Sequence, residues 1–354
     1  MRFLATCNPG TEDVVAREIV EEVDSAKVEE VGEYRGRIVF RSSGEPWLVA
    51  EQIYGLRSIH SASLLLAEAE VSPGREGLEE VWRAAYKSGA HLHIPYGATF
   101  AVRGERIGEG HSYTSVEIAS TVGDAVQRAA EESLGWRPMV RLNSPQVVLH
   151  AEVDIFTFRL GVLLTGERSR HRRRYRVYDH PAALKASLAY VMLRLAGARD
   201  GDTILDPMCG GGTVAVEAAL LFETSRVYCV DLNPRHTRGA RLNAESARVG
   251  GRVEVYTWDA RMLHELLGED SVDRIVSNPP YGIRLGDPVD VRILYREFMP
   301  SAARVLRSGG RAAIITAETK ALVAAARSSG LRMAGARRVR HGDLWVDIVV
   351  LEKP

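Results

Sequence analysis

The sequence predicts an α/β fold in two differently built halves, and three observations carry that expectation. Between residues 202 and 317, short apolar strands alternate with helical stretches, the pattern of a parallel sheet covered by helices. The final segment, RMAGARRVRHGDLWVDIVVLEK (332–353), breaks the alternation: two strand-like runs flank HGD, as in an antiparallel hairpin at a sheet edge. The N-terminal half mixes strands and amphipathic helices without regular alternation, which reads as small α+β layers.

Each element follows from local pattern. RFLATC (2–7) and GRIVFRS (36–42) are apolar runs of strand length, whereas 10–23 and 44–56 carry apolar residues at helical spacing. A second unit begins near residue 70. It contains the strand 99–106, the helix SVEIASTVGDAVQRAAEESL (115–134), and strands 147–156 and 157–166. In the C-terminal half the strands are 202–207, 226–231, 253–259, 272–278 and 311–317. Helices are expected over 213–222 and over 234–250, the latter with Pro234 in its first turn, where a missing N–H costs nothing.

Composition excludes several classes. The chain has 354 residues, enough for two or three domains, and 45% are apolar with charge spread among them, as in a soluble globular protein. No run reaches the roughly 18 apolar residues a membrane helix needs. The start, MRFLATCNPGTEDVV, turns acidic too soon for a signal peptide. Cys7, Cys209 and Cys229 lie far apart without a C-x-x-C pair, which argues against a zinc site or a disulfide scaffold and for a reducing, cytoplasmic setting. Net charge is zero but uneven: residues 166–176, GERSRHRRRYR, hold six arginines and one glutamate.

The chemistry concentrates at strand ends. In LDPMCGGGTV (205–214) a strand ends at Asp206, glycines follow, and a helix begins at Thr213. Glycines admit a ligand close to backbone N–H groups at a helix start. The spacing is neither G-x-G-x-x-G nor a P-loop, which disfavours a nicotinamide cofactor or a nucleoside triphosphate. Asp231, in CVDLNP, either meets ribose hydroxyls of an adenosine-containing ligand or caps the next helix. Asp259, in TWDAR, either accepts an adenine amine or is a cap. Asn278 opens NPPYG, a stiff turn after the strand 272–278. Open α/β sheets bind ligands at the carboxyl ends of their strands, and four such ends here carry Asp206, Asp231, Asp259 and Asn278.

This order resembles the class I S-adenosylmethionine-dependent methyltransferases. DPMCGGGT is similar to their motif I, Asp231 to the ribose-binding acid, WDA to the adenine-binding segment and NPPYG to the amino-methyltransferase motif. The resemblance implies a Rossmann-like sheet with a C-terminal antiparallel hairpin over 183–354. It implies S-adenosyl-L-methionine contacts from Asp206, Met208, Cys209, Gly210, Gly212 and Thr213, from Asp231 and Leu232, from Asp259 and Ala260, and from Asn278. HPAAL, with His180, Pro181 and Ala183, resembles motif X of the same site. Relatives commonly place serine where this chain has Gly211. Catalysis falls to Asn278, Pro279, Pro280 and Tyr281: acceptor oxygens on Asn278 and the Pro279 backbone orient an exocyclic amine, and Tyr281 offers a stacking face.

The other half selects the amine. Residues 100–126 with 147–166 resemble a THUMP RNA-binding domain (69–165), and FLATCNPGTEDVVAREI resembles the ferredoxin-like domain (1–68) that precedes it in tRNA-modifying enzymes. A basic linker, 166–182, would offer Arg168, Arg170, Arg172, Arg173, Arg174 and Arg176 to phosphates. The whole resembles THUMP-containing tRNA guanine-N2-methyltransferases, most closely the branch acting on guanosine 6 of the acceptor stem. Position 10 or ribosomal RNA are the alternative substrates, and an inactive tRNA-binding protein is the alternative class. The implied protein is a cytoplasmic monomer that uses no metal and meets no membrane.

Overall fold

A computed structural model describes residues 1–180, 182–280 and 288–354, with only the backbone described at 288 and 289. The chain divides into two compact units: residues 1–6, 16–32 and 37–169 form one, and 7–15, 33–36 and 170–354 the other.

The first unit is built on an eight-stranded sheet. Its strands are β1 (Arg2–Thr6), β2 (Lys27–Gly32), β3 (Arg37–Arg41), β4 (Ser61–Glu70), β5 (Thr99–Ile107), β6 (Met139–Val140), β7 (Val147–Asp154) and β8 (Thr157–Leu163), in the order β2-β3-β1-β4-β8-β7-β5-β6. The chain also forms helices α1 (Glu12–Glu22), α2 (Pro46–Gly55), α3 (Gly77–Lys87) and α4 (Ser115–Leu134). The predicted helix 115–134 is reproduced residue for residue. A capping box between Thr114 and Glu117 starts it, and Gly135 at φ 69° stops it. Its buried face (Ile118, Val122, Val126) packs with Phe100, Leu149, Phe158 and Leu160 of the sheet.

Two strands lack an apolar alternation in the sequence. β2 is an edge strand and largely exposed, and β4 mixes Ser, Ala and Glu into its apolar run. β4 spans the domain boundary expected at 68/69 and pairs with both β1 and β8, so one sheet runs through it. Glu105, His150 and Glu152 have metal-ligand spacing, but the Arg37 guanidinium lies 2.7 Å from Glu105 and 2.8 Å from Glu152, where a cation would sit.

The second unit comprises α5 (Ala186–Leu195), β9 (Thr203–Asp206), α6 (Thr213–Leu221), β10 (Arg226–Asp231), α7 (Pro234–Ser246), β11 (Val253–Thr257), α8 (Leu263–Leu267), β12 (Val272–Ser277), α9 (Pro288–Val305), β13 (Leu306–Thr316), α10 (Thr319–Ser328), β14 (Arg332–His341) and β15 (Leu344–Glu352). The sheet order is β11-β10-β9-β12-β13-β15-β14. Pairing is parallel from β11 to β13, and the terminal hairpin joins antiparallel, as the sequence predicts. The order reverses between β9 and β12, so chains leaving those strands diverge and open a crevice. No described helix is long and apolar enough to cross a membrane.

Cys209 and Cys229 form a disulfide, against the expectation from their spacing. Cys209 follows β9 and Cys229 lies in β10; parallel pairing brings their Cα atoms to 5.6 Å across 20 residues of chain.

The basic linker is in part structural, which corrects two of its expected RNA contacts. Arg173 is turned inward: its Nε and one terminal nitrogen donate to Glu217 at 2.9 and 3.1 Å, and the Glu217 side chain is fully buried in α6. The Tyr175 hydroxyl donates to the same carboxylate at 2.8 Å. Arg176 donates to the Leu184 carbonyl and to Thr213 Oγ1. Nothing in the local run of charge separates inward from outward arginines; the acidic partner, Glu217, lies 44 residues further on. Arg173→Ala removes a guanidinium paired with that buried carboxylate, and is expected to lower stability by about 3–5 kcal/mol in denaturant unfolding.

Candidate active site

A cavity of about 570 Å³ opens at the carboxyl ends of β9, β10 and β12, in the size range of cofactor sites. Its wall brings together nearly all the residues expected from sequence: His180 and Ala183; Asp206, Met208, Cys209, Gly210 and Thr213; Asp231 and Leu232; Asp259 and Ala260; and Asn278, Pro279 and Pro280. Pro181 and Tyr281 lie outside the described residues. Gly212 does not line the cavity; Gly211 does. Gly212 instead caps α6 at φ 75°, and a Cβ there would stand 3.0 Å from the Ala240 Cβ, so only glycine lets α6 and α7 approach so closely.

The glycine loop is held by two neighbours. The Gly210 N–H donates to Asp231 Oδ2 at 2.8 Å, joining the loop to the end of β10. Buried Asn243 of α7 accepts from the Val177 and Tyr178 N–H groups at 2.9 and 2.8 Å, and donates to the Tyr178 and Gly211 carbonyls at 2.9 and 2.8 Å. A Cβ on Gly211 would stand 3.3 Å from the Tyr178 ring, which gives glycine rather than serine a reason at this position.

Asp206 is buried, and accepts weakly from the Met208 N–H (3.3 Å) and the Ser277 hydroxyl (3.2 Å). Burial, with some help from Asp231, pushes its carboxyl up to about 8. Asp259 does cap the following turn, accepting from the Arg261 N–H at 2.9 Å, and its carboxylate is forked by the Arg261 guanidinium. That hydrogen bond to Arg261 lowers its carboxyl below the usual range, so the side chain is already engaged.

Asn278 is the exception among these polar groups. Its Nδ2 donates to the Ala182 carbonyl at 3.3 Å, while its Oδ1 is buried with no hydrogen-bond partner among the described residues. The amide is thereby turned so that the acceptor is the free end. Pro279 is buried behind it and Pro280 exposed. Lys185, His236, Arg261, Leu294 and the hairpin residues His341 and Leu344 also line the cavity and were not expected from sequence. Of these, His236 stands in the first turn after DLNP, Arg261 ends TWDAR and His341 opens HGD, so each lay beside a motif visible in the sequence.

A glycine cradle, a carboxylate at the next strand end and a rigid NPP acceptor define a class I S-adenosylmethionine-dependent methyltransferase, and the cavity's size and orphaned acceptor suit that cofactor together with an amine. Residues 173–347 match the family model described as RMKL-like, methyltransferase domain, and 75–162 match the THUMP domain. An Archaeoglobus fulgidus protein named tRNA (guanine(6)-N2)-methyltransferase is 36% identical over 99% of this chain and 92% of its own length. The solved structure of TrmN from Thermus thermophilus superposes with a TM-score of 0.80 at 32% identity, covering 100% of this chain and 99% of that one. A Methylococcus capsulatus ribosomal RNA large subunit methyltransferase K/L is 29% identical over 89% of this chain but only 46% of its own length. The chain belongs to the THUMP-containing tRNA guanine-N2-methyltransferase family.

Asp206 sets a pH dependence. A buried acid raised to about 8 is neutral at pH 7, and a cationic ligand group beside it favours the ionised form. Without ligand the folded state holds the proton that the unfolded state has released, so this group's contribution to stability falls as pH rises from about 4 to about 8. S-adenosyl-L-homocysteine bound with its cationic amino group beside Asp206 is expected to release a proton at pH 7 and to bind more tightly as pH rises towards about 8. Calorimetry in buffers of different ionisation enthalpy measures both effects.

Proposed function

We propose that this protein transfers a methyl group from S-adenosylmethionine to the exocyclic N2 amine of guanosine 6 in the acceptor stem of tRNA. The observation that carries the reading is the buried Asn278 Oδ1 on the cavity wall, which has no partner among the described residues. An amine conjugated with a base ring is a weak nucleophile because its lone pair is delocalised. When bound, the cofactor supplies an electrophilic methyl group. Asn278 Oδ1 accepts one amine hydrogen, with the Pro279 carbonyl as the second acceptor, and the lone pair is thereby aimed. Ala182, holding Asn278 Nδ2, keeps the amide from rotating away. An amide is no base, so the product proton leaves to solvent, and the site accelerates the reaction by orientation. A paired guanosine must leave its stack to enter such a cavity.

Position 6 is supported by the full-length likeness to proteins named for that position. The ribosomal RNA relative matches less than half of its own length, which makes it the second reading. A tRNA substrate supports a cytoplasmic setting for the reaction. Arg168, Arg172 and Arg174 are exposed and are assigned to phosphate contacts; Pro181, Ala183 and the loop residues are assigned to the cofactor, and Tyr281 to the base.

Asn278→Ala is expected to lower methyl transfer by roughly 10²-fold while S-adenosyl-L-homocysteine binding is largely retained. Turnover equal to the wild type would remove Asn278 from the mechanism. Incubation with labelled cofactor and unmodified tRNA, followed by mapping, should place the label on guanosine 6; label on ribosomal RNA instead would select the second reading. Replacing Arg168, Arg172 and Arg174 by alanine is expected to reduce the slope of log affinity against log salt by about 2–3. An unchanged slope would return them to a solvated linker.

A further inference from the structure

The polar wall beside Asp231 holds a hydrogen-bonded chain that the proposed reaction does not by itself require. Asn233 is the N-cap of α7: its Oδ1 accepts from the Arg235 N–H at 2.9 Å, which turns its Nδ2 the other way. That Nδ2 faces His236 Nε2 at 3.4 Å. An amide nitrogen only donates, so Nε2 is the acceptor and the ring proton sits on Nδ1. His236 Nδ1 lies 3.1 Å from Asp231 Oδ1 and donates to it.

Asp231 Oδ1 also accepts from the Asn233 N–H at 2.9 Å, and Oδ2 from the Gly210 N–H at 2.8 Å. A carboxylate has about four acceptor positions. Three are filled by the described residues, leaving one, on Oδ2, for a ligand. His180 stacks edge-on against His236 with ring centroids 4.5 Å apart, and both rings line the cavity. Asp231 at the end of β10 and the His180 ring both lie against His236, and Asp179 acts on His180 in turn.

We infer that His236 is a positioning residue for cofactor recognition: locked by Asn233 as the Nδ1–H tautomer, it orients the Asp231 carboxylate so that Oδ2 meets a ribose hydroxyl. The helix cap, the imidazole and the carboxylate then act as one relay. A carboxylate free to rotate about its χ angles would lose the alignment between its last acceptor position and the cavity. The inference rests on Asp231 being the ribose acceptor.

The test measures S-adenosyl-L-homocysteine binding by calorimetry together with the nitrogen-15 imidazole spectrum of His236. In the wild type the spectrum should show a protonated Nδ1 and an unprotonated Nε2. His236→Ala is expected to weaken binding about tenfold, as loss of a hydrogen bond to a charged group would. His236→Asn keeps a donor at the Nδ1 position and should recover binding to within about threefold of wild type. Asn233→Asp preserves the helix cap but sets an acceptor against Nε2, so the spectrum should lose the wild-type pattern of a protonated Nδ1 and an unprotonated Nε2. An Nε2–H tautomer in the wild type, or His236→Ala binding as tightly as wild type, overturns the relay. Asp231→Asn separates the two levels. If it weakens binding while His236→Ala does not, only the relay fails; if neither weakens binding, the assignment of Asp231 to the ribose fails as well.

Discussion

The catalytic unit depends on one topological constraint: a parallel sheet whose strand order turns back at β9. Because β10 lies on one side of β9 and β12 on the other, the chains leaving their carboxyl ends are carried apart. The loops after them cannot close over the sheet, and a cavity remains. Everything chemical in the molecule is placed at that opening, since residues far apart in sequence can converge there without burying unpaired backbone. Asp206, Asp231 and Asn278 stand at consecutive positions around it for this reason.

Within that frame the polar groups fall into two kinds. Most are satisfied by the protein: Asp259 by Arg261, Glu217 by Arg173 and Tyr175, Asn243 by four backbone groups. These fix the walls. On the cavity wall, two of the described groups are left short of partners. Among the described residues Asn278 Oδ1 has none, and buried Asp206 has two long hydrogen bonds and no cation paired with it. Burying polar groups in this state costs free energy, and a ligand that supplies donors or positive charge recovers it. The incompletely satisfied groups therefore mark where binding acts, and the satisfied ones mark what holds the shape.

The same distinction divides the arginine-rich linker. Six arginines within eleven residues look alike as a run of charge. Arg173 and Arg176 face inward and fasten the segment to α6, whereas Arg168, Arg172 and Arg174 face water. A guanidinium serves both purposes because it is always charged and forks well onto carboxylates and phosphates alike. Which purpose it serves depends on whether an acid waits opposite.

Local pattern was sufficient for the elements whose signals are local. The capping box at Thr114 and Glu117, the apolar runs of β9, β10 and β12, the glycine loop and the NPP turn are each written within a few residues, so type and place were legible. The family resemblance, too, rests on such short motifs in a set order. Pairings between distant residues were not legible: the Cys209–Cys229 disulfide, the Glu217 partner of Arg173, the Asn243 knot and the His236 contact with Asp231 all arise only when strands and helices pack. β2 and β4 escaped because an edge strand and a strand of small and acidic residues show no clean alternation. The sequence alone determined which groups can do the chemistry, because reactivity and backbone stiffness belong to residues. The tertiary structure alone decided which of those groups remain free to do it, because a side chain's partners are set by distances that no spacing along the chain records.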